Sequence, residues 1–309
     1  MKVDYSIVAP IYNELENLPE LHRRVSEVMS ANRGTWELVL VDDGSSDGST
    51  EAIRALAKRD KHVRPVIFAR NFGHQPAITA GWDYARGSAV VIIDADLQDP
   101  PEVIPDLIAK WKEGFRVVYA VRAEREGESW FKKFTAAMFY RIIYRITDVK
   151  IPVDTGDFRL MDRKVVDVLK TMPERHRFPR GMAAWVGFRQ IGVPYKRAAR
   201  HAGVTKYPFK KMLKLALNAI TGFSYFPLQL ATYVGFAAAG LAAISIPVVI
   251  VMRLLGSPFF EGQATTLISV LFLGGVQLIS LGVLGEYIGR VYDEAKGRPL
   301  YIVSEAPQD

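Results

Sequence analysis

The stretch that decides the fold is Ala89-Val90-Val91-Ile92-Ile93-Asp94-Ala95-Asp96-Leu97-Gln98-Asp99-Pro100-Pro101. Its opening apolar residues, most of them β-branched, read as a buried strand. Two carboxylates one residue apart stand at the end of that strand, followed by a glutamine and a Pro-Pro stop. Carboxylate and amide oxygens are hard ligands. They suit a Mg²⁺ or Mn²⁺ ion that stays partly hydrated and draws its remaining ligands from substrate phosphates. On this reading Asp94, Asp96 and Gln98 are metal ligands. The competing reading is a plain polar loop in which Asp99 caps a helix begun by Pro100 and Pro101.

Outward from this stretch, strand and helix signals alternate through residues 1–205. Strands are predicted at Tyr5–Ala9, Glu37–Val41, Val63–Phe68, Ala89–Ile93 and Val117–Val121. Helices are predicted at Asn17–Ala31, Ser49–Arg59, His74–Arg86 and Pro101–Lys112, the first with Asn17 and Glu20 as a capping box. Such alternation defines an α/β domain with a mostly parallel sheet covered on both faces. Polar clusters follow three strands: Pro10 to Glu14, Asp42 to Gly48, and Asp94 to Gln98. Ligands of open parallel sheets bind at the carboxyl ends of strands, so these clusters mark one site. A calcium loop counted from Asp43 fails, because its twelfth position is Arg54 where a glutamate is required.

The chain has 309 residues, 49% of them hydrophobic, with a net charge of +7 and no cysteine. Disulfides and thiolate metal sites are therefore excluded. No charged residue occurs from Leu215 to Met252 or from Gly262 to Gly285. A run of about 20 residues crosses a hydrocarbon core of roughly 30 Å, so two membrane helices are predicted near 229–252 and 264–288. Lys206, Lys210, Lys211 and Lys214 precede the first span, and Arg290, Lys296 and Arg298 follow the second. The positive-inside tendency then places both termini and the catalytic part in the cytoplasm of an inner-membrane protein. Met1-Lys2-Val3-Asp4 leads straight into a strand, so no signal peptide is expected. The expected division is a soluble domain at 1–205, a juxtamembrane helical segment at 206–228, the two spans within 229–289, and a cytoplasmic tail at 290–309. Ser129 to Arg145 interleaves aromatics with cations and reads either as an amphipathic helix in the headgroup layer or as a core-packed helix. The positive charge gathers near the membrane, which points to anionic lipid and away from nucleic acid. Glycines in both spans permit a homo-oligomer without fixing its size.

Five segments in order carry a resemblance: Ala9 to Glu14, Val41 to Thr50, Arg70-Asn71-Phe72-Gly73, Asp94 to Pro101, and Thr155-Gly156-Asp157-Phe158-Arg159. Together they resemble the motif series of family-two inverting glycosyltransferases. The similarity is to the branch of dolichyl-phosphate mannose synthase and the bacterial polyprenyl-phosphate glucosyltransferases, and it covers the whole chain. No Gln-x-x-Arg-Trp motif is present, which argues against a processive polysaccharide synthase. The resemblance implies a GT-A nucleotide-sugar fold, a Mg²⁺ or Mn²⁺ cofactor, and two substrates, a nucleotide sugar and a polyprenyl phosphate. It implies that Pro10, Tyr12, Glu14 and Asp43 hold the nucleoside, Asp43 by accepting hydrogen bonds from base or ribose. A packed aromatic is the plain alternative for Tyr12, and a simple turn for Gly73, which would otherwise permit close backbone approach. Arg122, Arg200 and Lys206 would pair with donor phosphate, and Lys132 and Lys133 with the acceptor phosphate. Lys210, Lys211 and Lys214 suit lipid headgroups.

Asp96 and Asp157 are the implied catalytic residues, Asp157 standing where the family's proposed base stands. The nucleophile is a phosphate monoester with a second pKa of about 6, already mostly ionised near pH 7. Asp157 is therefore read as orienting the attacking phosphate or the sugar, supported by Arg159 at the acceptor phosphate. The implied reaction is inverting transfer of one hexose, glucose from UDP-glucose, to polyprenyl phosphate. GDP-mannose or UDP-aminoarabinose donors, and a non-catalytic nucleotide-binding membrane scaffold, are the alternatives.

Overall fold

A computed structural model describes residues 3–122, 155–196, 224–255 and 263–307. The core strands form where predicted, with bounds shifted by no more than two residues: β1 Tyr5–Ile11, β2 Trp36–Asp42, β3 Val63–Phe68, β4 Ala89–Ile92 and β5 Val117–Arg122. Helices α1 Leu18–Ala31, α2 Ser49–Arg59 and α3 His74–Tyr84 separate the first four. A 3₁₀ turn at Pro101–Val103 leads into α4 Ile104–Lys112. Beyond these lie β6 Thr155–Asp162, α5 Arg163–Thr171, α6 Pro179–Trp185 and β7 Gln190–Tyr195. Two long helices follow, α7 Phe226–Leu254 and α8 Gln263–Ala295, then a short β8 Val303–Glu305.

The eight strands form one sheet in the order β7-β5-β6-β4-β1-β2-β3-β8. Neighbours β4, β1, β2 and β3 are parallel, whereas β6 runs antiparallel between β4 and β5. Successive side chains of a strand point to opposite faces, so β1 feeds two cores at once. Ile7, Ala9 and Ile11 pack toward α1 and α4, and Val8 packs toward α3. A Cβ on Gly81 would fall 2.0 Å from Val8 Cγ1, so this glycine lets α3 lie directly on β1.

Two local expectations are corrected. The Asn17–Glu20 capping box does not form, because Asn17 is helical and its side-chain amide donates to Glu14 Oε2 at 2.6 Å. Asp99 does not cap the following helix: Pro100 holds that position, and Asp99 is buried against Tyr195. The segment 290–309, expected as a tail, divides into the end of α8 and an edge strand. β8 pairs antiparallel with β3, and Tyr301 stacks on Phe68 with centroids 5.0 Å apart while its hydroxyl donates to Asp83 of α3 at 2.7 Å.

Helices α7 and α8 pack on each other and expose large apolar side chains, among them Phe236, Leu241, Leu271 and Ile279. At 1.5 Å per residue they measure roughly 44 and 50 Å, longer than a hydrocarbon core of about 30 Å. Both are long and apolar enough to cross a membrane. The far end of α8 returns to the α/β domain, where Glu294 accepts from Arg175 N at 2.7 Å and Asp293 lies 3.2 Å from His176 Nε2. The predicted amphipathic helix at 129–145 and most of the juxtamembrane segment lie outside the described residues.

Candidate active site

The strand ends of β1, β2 and β3 are bound to one another by short polar side chains. Asn13, at φ 53°, accepts from Ser46 N at 2.8 Å, and its own N–H donates to Ser45 Oγ at 3.0 Å. Leu15 N donates to Asp47 Oδ2, and Glu14 N to Ser49 Oγ, both at 3.1 Å. Gly44, at φ 68°, lies so near the Arg70–Asn71 peptide that a Cβ would fall 2.5 Å from Arg70 C. Tyr12 stands at the rim, 41% exposed, whereas Pro10 is buried within β1.

Asp43 is tied into the neighbouring loop. Its Oδ1 accepts from Phe72 N at 2.6 Å and Gly73 N at 3.1 Å, and its Oδ2 accepts from Gly73 N at 2.9 Å and Asn71 Nδ2 at 3.0 Å. Three N–H donors from within the protein thus converge on a carboxylate that offers about four acceptor positions. Asp43 is only 3% exposed and fixes the 71–73 loop. Burial raises its pKa against the pull of the two backbone N–H donors. Gly73 is held at φ 107°, and a Cβ there would make only an ordinary contact, 3.9 Å from Pro76 Cδ, so conformation rather than close approach demands glycine.

At the end of β4 the acidic turn passes through Leu97 at φ 59°, and Asp96 Oδ1 accepts from Gln98 N at 3.1 Å. Asp94 Oδ1 is shut from solvent with no hydrogen-bond partner, although 32% of the side chain remains exposed. Burial raises the Asp94 pKa to about 6, with His74 opposing and Asp157, Asp99 and Asp96 reinforcing the shift. A buried carboxylate oxygen without a donor is what a cation ligand looks like before the cation binds. Among the described residues no three His, Cys, Asp or Glu side chains close around one point. The donor set therefore fits a hard ion that is completed by diphosphate oxygens and water, not one caged by protein.

Continuing the β4–β6 register past Ile92 and Arg159 brings Asp157 level with Asp94. His74 bridges them: its Nε2 is 3.3 Å from Asp157 Oδ2 and 3.7 Å from Asp94 Oδ1. Arg180 of α6 grips Asp157 on two sides, Nε to Oδ1 at 2.8 Å and Nη2 to Oδ2 at 3.2 Å. Burial would raise the Asp157 pKa, but the Arg180 charge and the bonds from His74 and Arg180 hold it well below the usual carboxylate range. Arg159, expected at the acceptor phosphate, is buried beside Asp157. It is 4% exposed, and its Nη2 donates to Gly156 O, so it lies beneath Asp157. Burial lowers its pKa to about 10. On the other flank Tyr195 donates to Asp99 Oδ1 and is hydrogen-bonded by Arg122. A Cβ on Gly156 would sit 3.4 Å from Arg122 Nη2. Lys132, Lys133, Arg200 and Lys206 lie outside the described residues.

Sequence reasoning missed His74 and Arg180. His74 directly follows the Arg70–Gly73 segment, which was a usable signal, whereas nothing local distinguishes Arg180. Burial lowers the His74 pKa, yet the Asp157 hydrogen bond and the charges of Asp94 and Asp157 outweigh it and raise the value to about 9. A raised histidine pKa contributes stability that is fully present below about 6.5 and is lost as pH rises through about 9. In chelator, the melting-temperature gap between wild type and His74→Gln is therefore expected to be largest at pH 6.5 and to shrink by pH 9.5. A gap constant across that range would contradict the pairing.

A mostly parallel sheet with an acidic rim at its strand ends, and arginines beside it, is the class of α/β site at which ligands bind beyond the strand ends. The particular family follows from comparison: residues 6–169 match glycosyl transferase family 2, and the chain belongs to that family. It is a glycosyltransferase. The chain is 52% identical over 98% of its length, and 94% of the relative's, to the uncharacterized glycosyltransferase YkcC of Bacillus subtilis. It is 45% identical to the bactoprenol glucosyl transferase of Shigella phage SfV, over 98% of this chain and 99% of that protein. Among solved structures, a Pyrobaculum calidifontis mannosyltransferase bound to GDP-Man and Mn²⁺ aligns over 93% of this chain and 88% of its own, with TM-score 0.46 and 18% identity.

Proposed function

We propose that the protein transfers a single glucose, with inversion, from UDP-glucose to the phosphate of a polyprenyl phosphate of the bactoprenol type. The carrying observation is the Asp94–Asp96–Gln98 turn, where a buried Asp94 oxygen without a hydrogen bond is joined to Asp157 through His74. The 45% identity to phage bactoprenol glucosyl transferases supports the choice of sugar and lipid. In the reaction an acceptor phosphate oxygen bonds to the sugar's anomeric carbon as the bond from that carbon to the nucleoside diphosphate breaks.

Asp94, Asp96 and Gln98 would hold Mg²⁺ or Mn²⁺, which when bound neutralises charge on the departing diphosphate. Arg122, hydrogen-bonded to Tyr195, would pair with a phosphate. Tyr12 and Glu14 line the nucleoside side of the cleft, on a rim that Asp43 keeps in shape through the 71–73 loop. The two apolar helices anchor the domain to the bilayer. The lysines before the first helix and the basic residues after the second support a cytoplasmic catalytic face. Anchoring confines enzyme and lipid acceptor to one surface and so raises their effective concentration.

The test offers membranes containing the protein labelled UDP-glucose, GDP-mannose or UDP-aminoarabinose in separate reactions with polyprenyl phosphate. Label from UDP-glucose is expected in the organic phase. Label from another donor alone would replace the sugar, and label from none would overturn the reading.

A further inference from the structure

We propose that Arg180 receives the acceptor's phosphate and that Asp157 is the positioning residue that holds it there. This inference rests on the reading of the protein as a polyprenyl-phosphate glycosyltransferase and deepens it.

A general base needs an oxygen within hydrogen-bond reach of the proton it takes. Both oxygens of Asp157 are already engaged, by the Arg180 fork at 2.8 and 3.2 Å and by His74 at 3.3 Å. The Asp157 side chain is 6% exposed, against 27% for Arg180, so Arg180 is the more accessible member of the pair. The acceptor has no need of a base either. A phosphate monoester with a second pKa of about 6 is largely a dianion at neutral pH. Its difficulty is the opposite one, since it must approach a donor diphosphate of the same sign. A guanidinium is planar, carries five donors and matches phosphate oxygens in pairs. Fixing one edge of that plane on a buried carboxylate removes its rotational freedom and aims the charge.

The location supports the lipid side. Arg180 opens α6 just after Arg175 and His176, the residues that meet Glu294 and Asp293 at the far end of the membrane-length helix α8. The segment leading into α6 is thus tied to the end of α8. A few residues on, Arg180 meets Asp157, beside His74 and Asp94, where the donor's diphosphate is expected.

The experiment measures steady-state kinetics with UDP-glucose and a short-chain polyprenyl phosphate in detergent. Arg180→Ala is expected to raise the acceptor KM by about tenfold or more and the donor KM by less than about threefold. Added guanidinium ion is expected to recover part of the loss. Asp157→Asn is expected to show the same acceptor-weighted loss, with the shape of its kcat–pH profile unchanged between pH 6 and 9. The double variant is expected to be no worse than Arg180→Ala, because the two residues act as one unit. Should Arg180→Ala fail to fold, Arg180→Lys keeps a charge beside Asp157 and is expected to raise the acceptor KM by about threefold or more. An unchanged acceptor KM in the folded Arg180 variant, or an Asp157→Asn defect confined to kcat with a displaced pH limb, would overturn the assignment. If the wild type itself labels no polyprenyl phosphate, the functional reading fails, and this is distinguishable because it appears before any variant is compared.

Discussion

Asp96→Ala and Asp94→Ala are each expected to lower sugar transfer by about 10³-fold or more, comparable to or beyond the loss of a single preorganised electrostatic group. Chelation of the wild type is expected to have a similar effect, reversed by Mn²⁺. The accompanying stability change is the more discriminating result. Burial holds the Asp94 pKa up to about 6, so at pH 7.5 its ionised form is less favourable in the folded protein than in the unfolded chain. The sign follows from linkage: a carboxyl whose pKa rises on folding costs stability as pH climbs from about 4 through about 6. Asp94→Asn removes that charge and keeps the shape. In chelator at pH 7.5 its melting temperature is expected to equal or exceed that of the wild type, while transfer is lost. This is the usual trade of stability for function at a site built to hold a cation. A variant several degrees less stable, or one that still transfers sugar, would mean that Asp94 is a structural carboxylate.

Asp43→Ala is expected to cut kcat/KM for the nucleotide sugar by about 100-fold and to destabilise the domain by about 1–3 kcal/mol, the cost of leaving buried donors unmet. The reason is geometric. Asp43 holds Phe72 N, Gly73 N and the Asn71 amide, and Gly73 leads directly into α3, whose first residue is His74. Releasing this loop frees one side of the nucleotide cleft and loosens His74 against Asp94 and Asp157. Asp43→Asn is expected to lose less, because it keeps one carbonyl acceptor. The kinetics should show the donor KM rising before the acceptor KM. If Asp43 instead contacted the base directly, its loss would alter discrimination between uridine and guanosine donors and leave melting unchanged, and a donor-competition assay read beside a thermal melt separates the two.

Much of this molecule was legible from local sequence. The strand cores appear at the expected places because runs such as Ile7–Ala9, Leu38–Val41 and Val90–Ile92 are apolar enough to demand burial on both faces. The place of the Asp94–Asp96 turn was legible because the buried apolar run of β4 stops just before the carboxylates. Asp43 and Arg159 were singled out in the sequence, but what each one touches was not legible, nor was the burial of Asp99. Their partners, Tyr195, the 71–73 backbone and Gly156, are set by packing that no local window contains. The antiparallel strand β6 was missed as a strand although its Asp157 was singled out. Its neighbour in the sheet, β4, lies more than sixty residues earlier.

Taken alone, the chain specified an α/β domain, an acidic rim at its strand ends and two helices fit for a bilayer. Each of these follows from hydrophobic periodicity and from the few chemistries that adjacent carboxylates allow. Only the tertiary structure decided that β6 enters between β4 and β5 with a register that sets Asp157 level with Asp94, that His74 and Arg180 close on it, and that the last strand clasps β3. Those contacts depend on register and on charges buried together across long chain separations, where the energy of an ion pair is fixed by distance and solvent exclusion and not by neighbours in sequence.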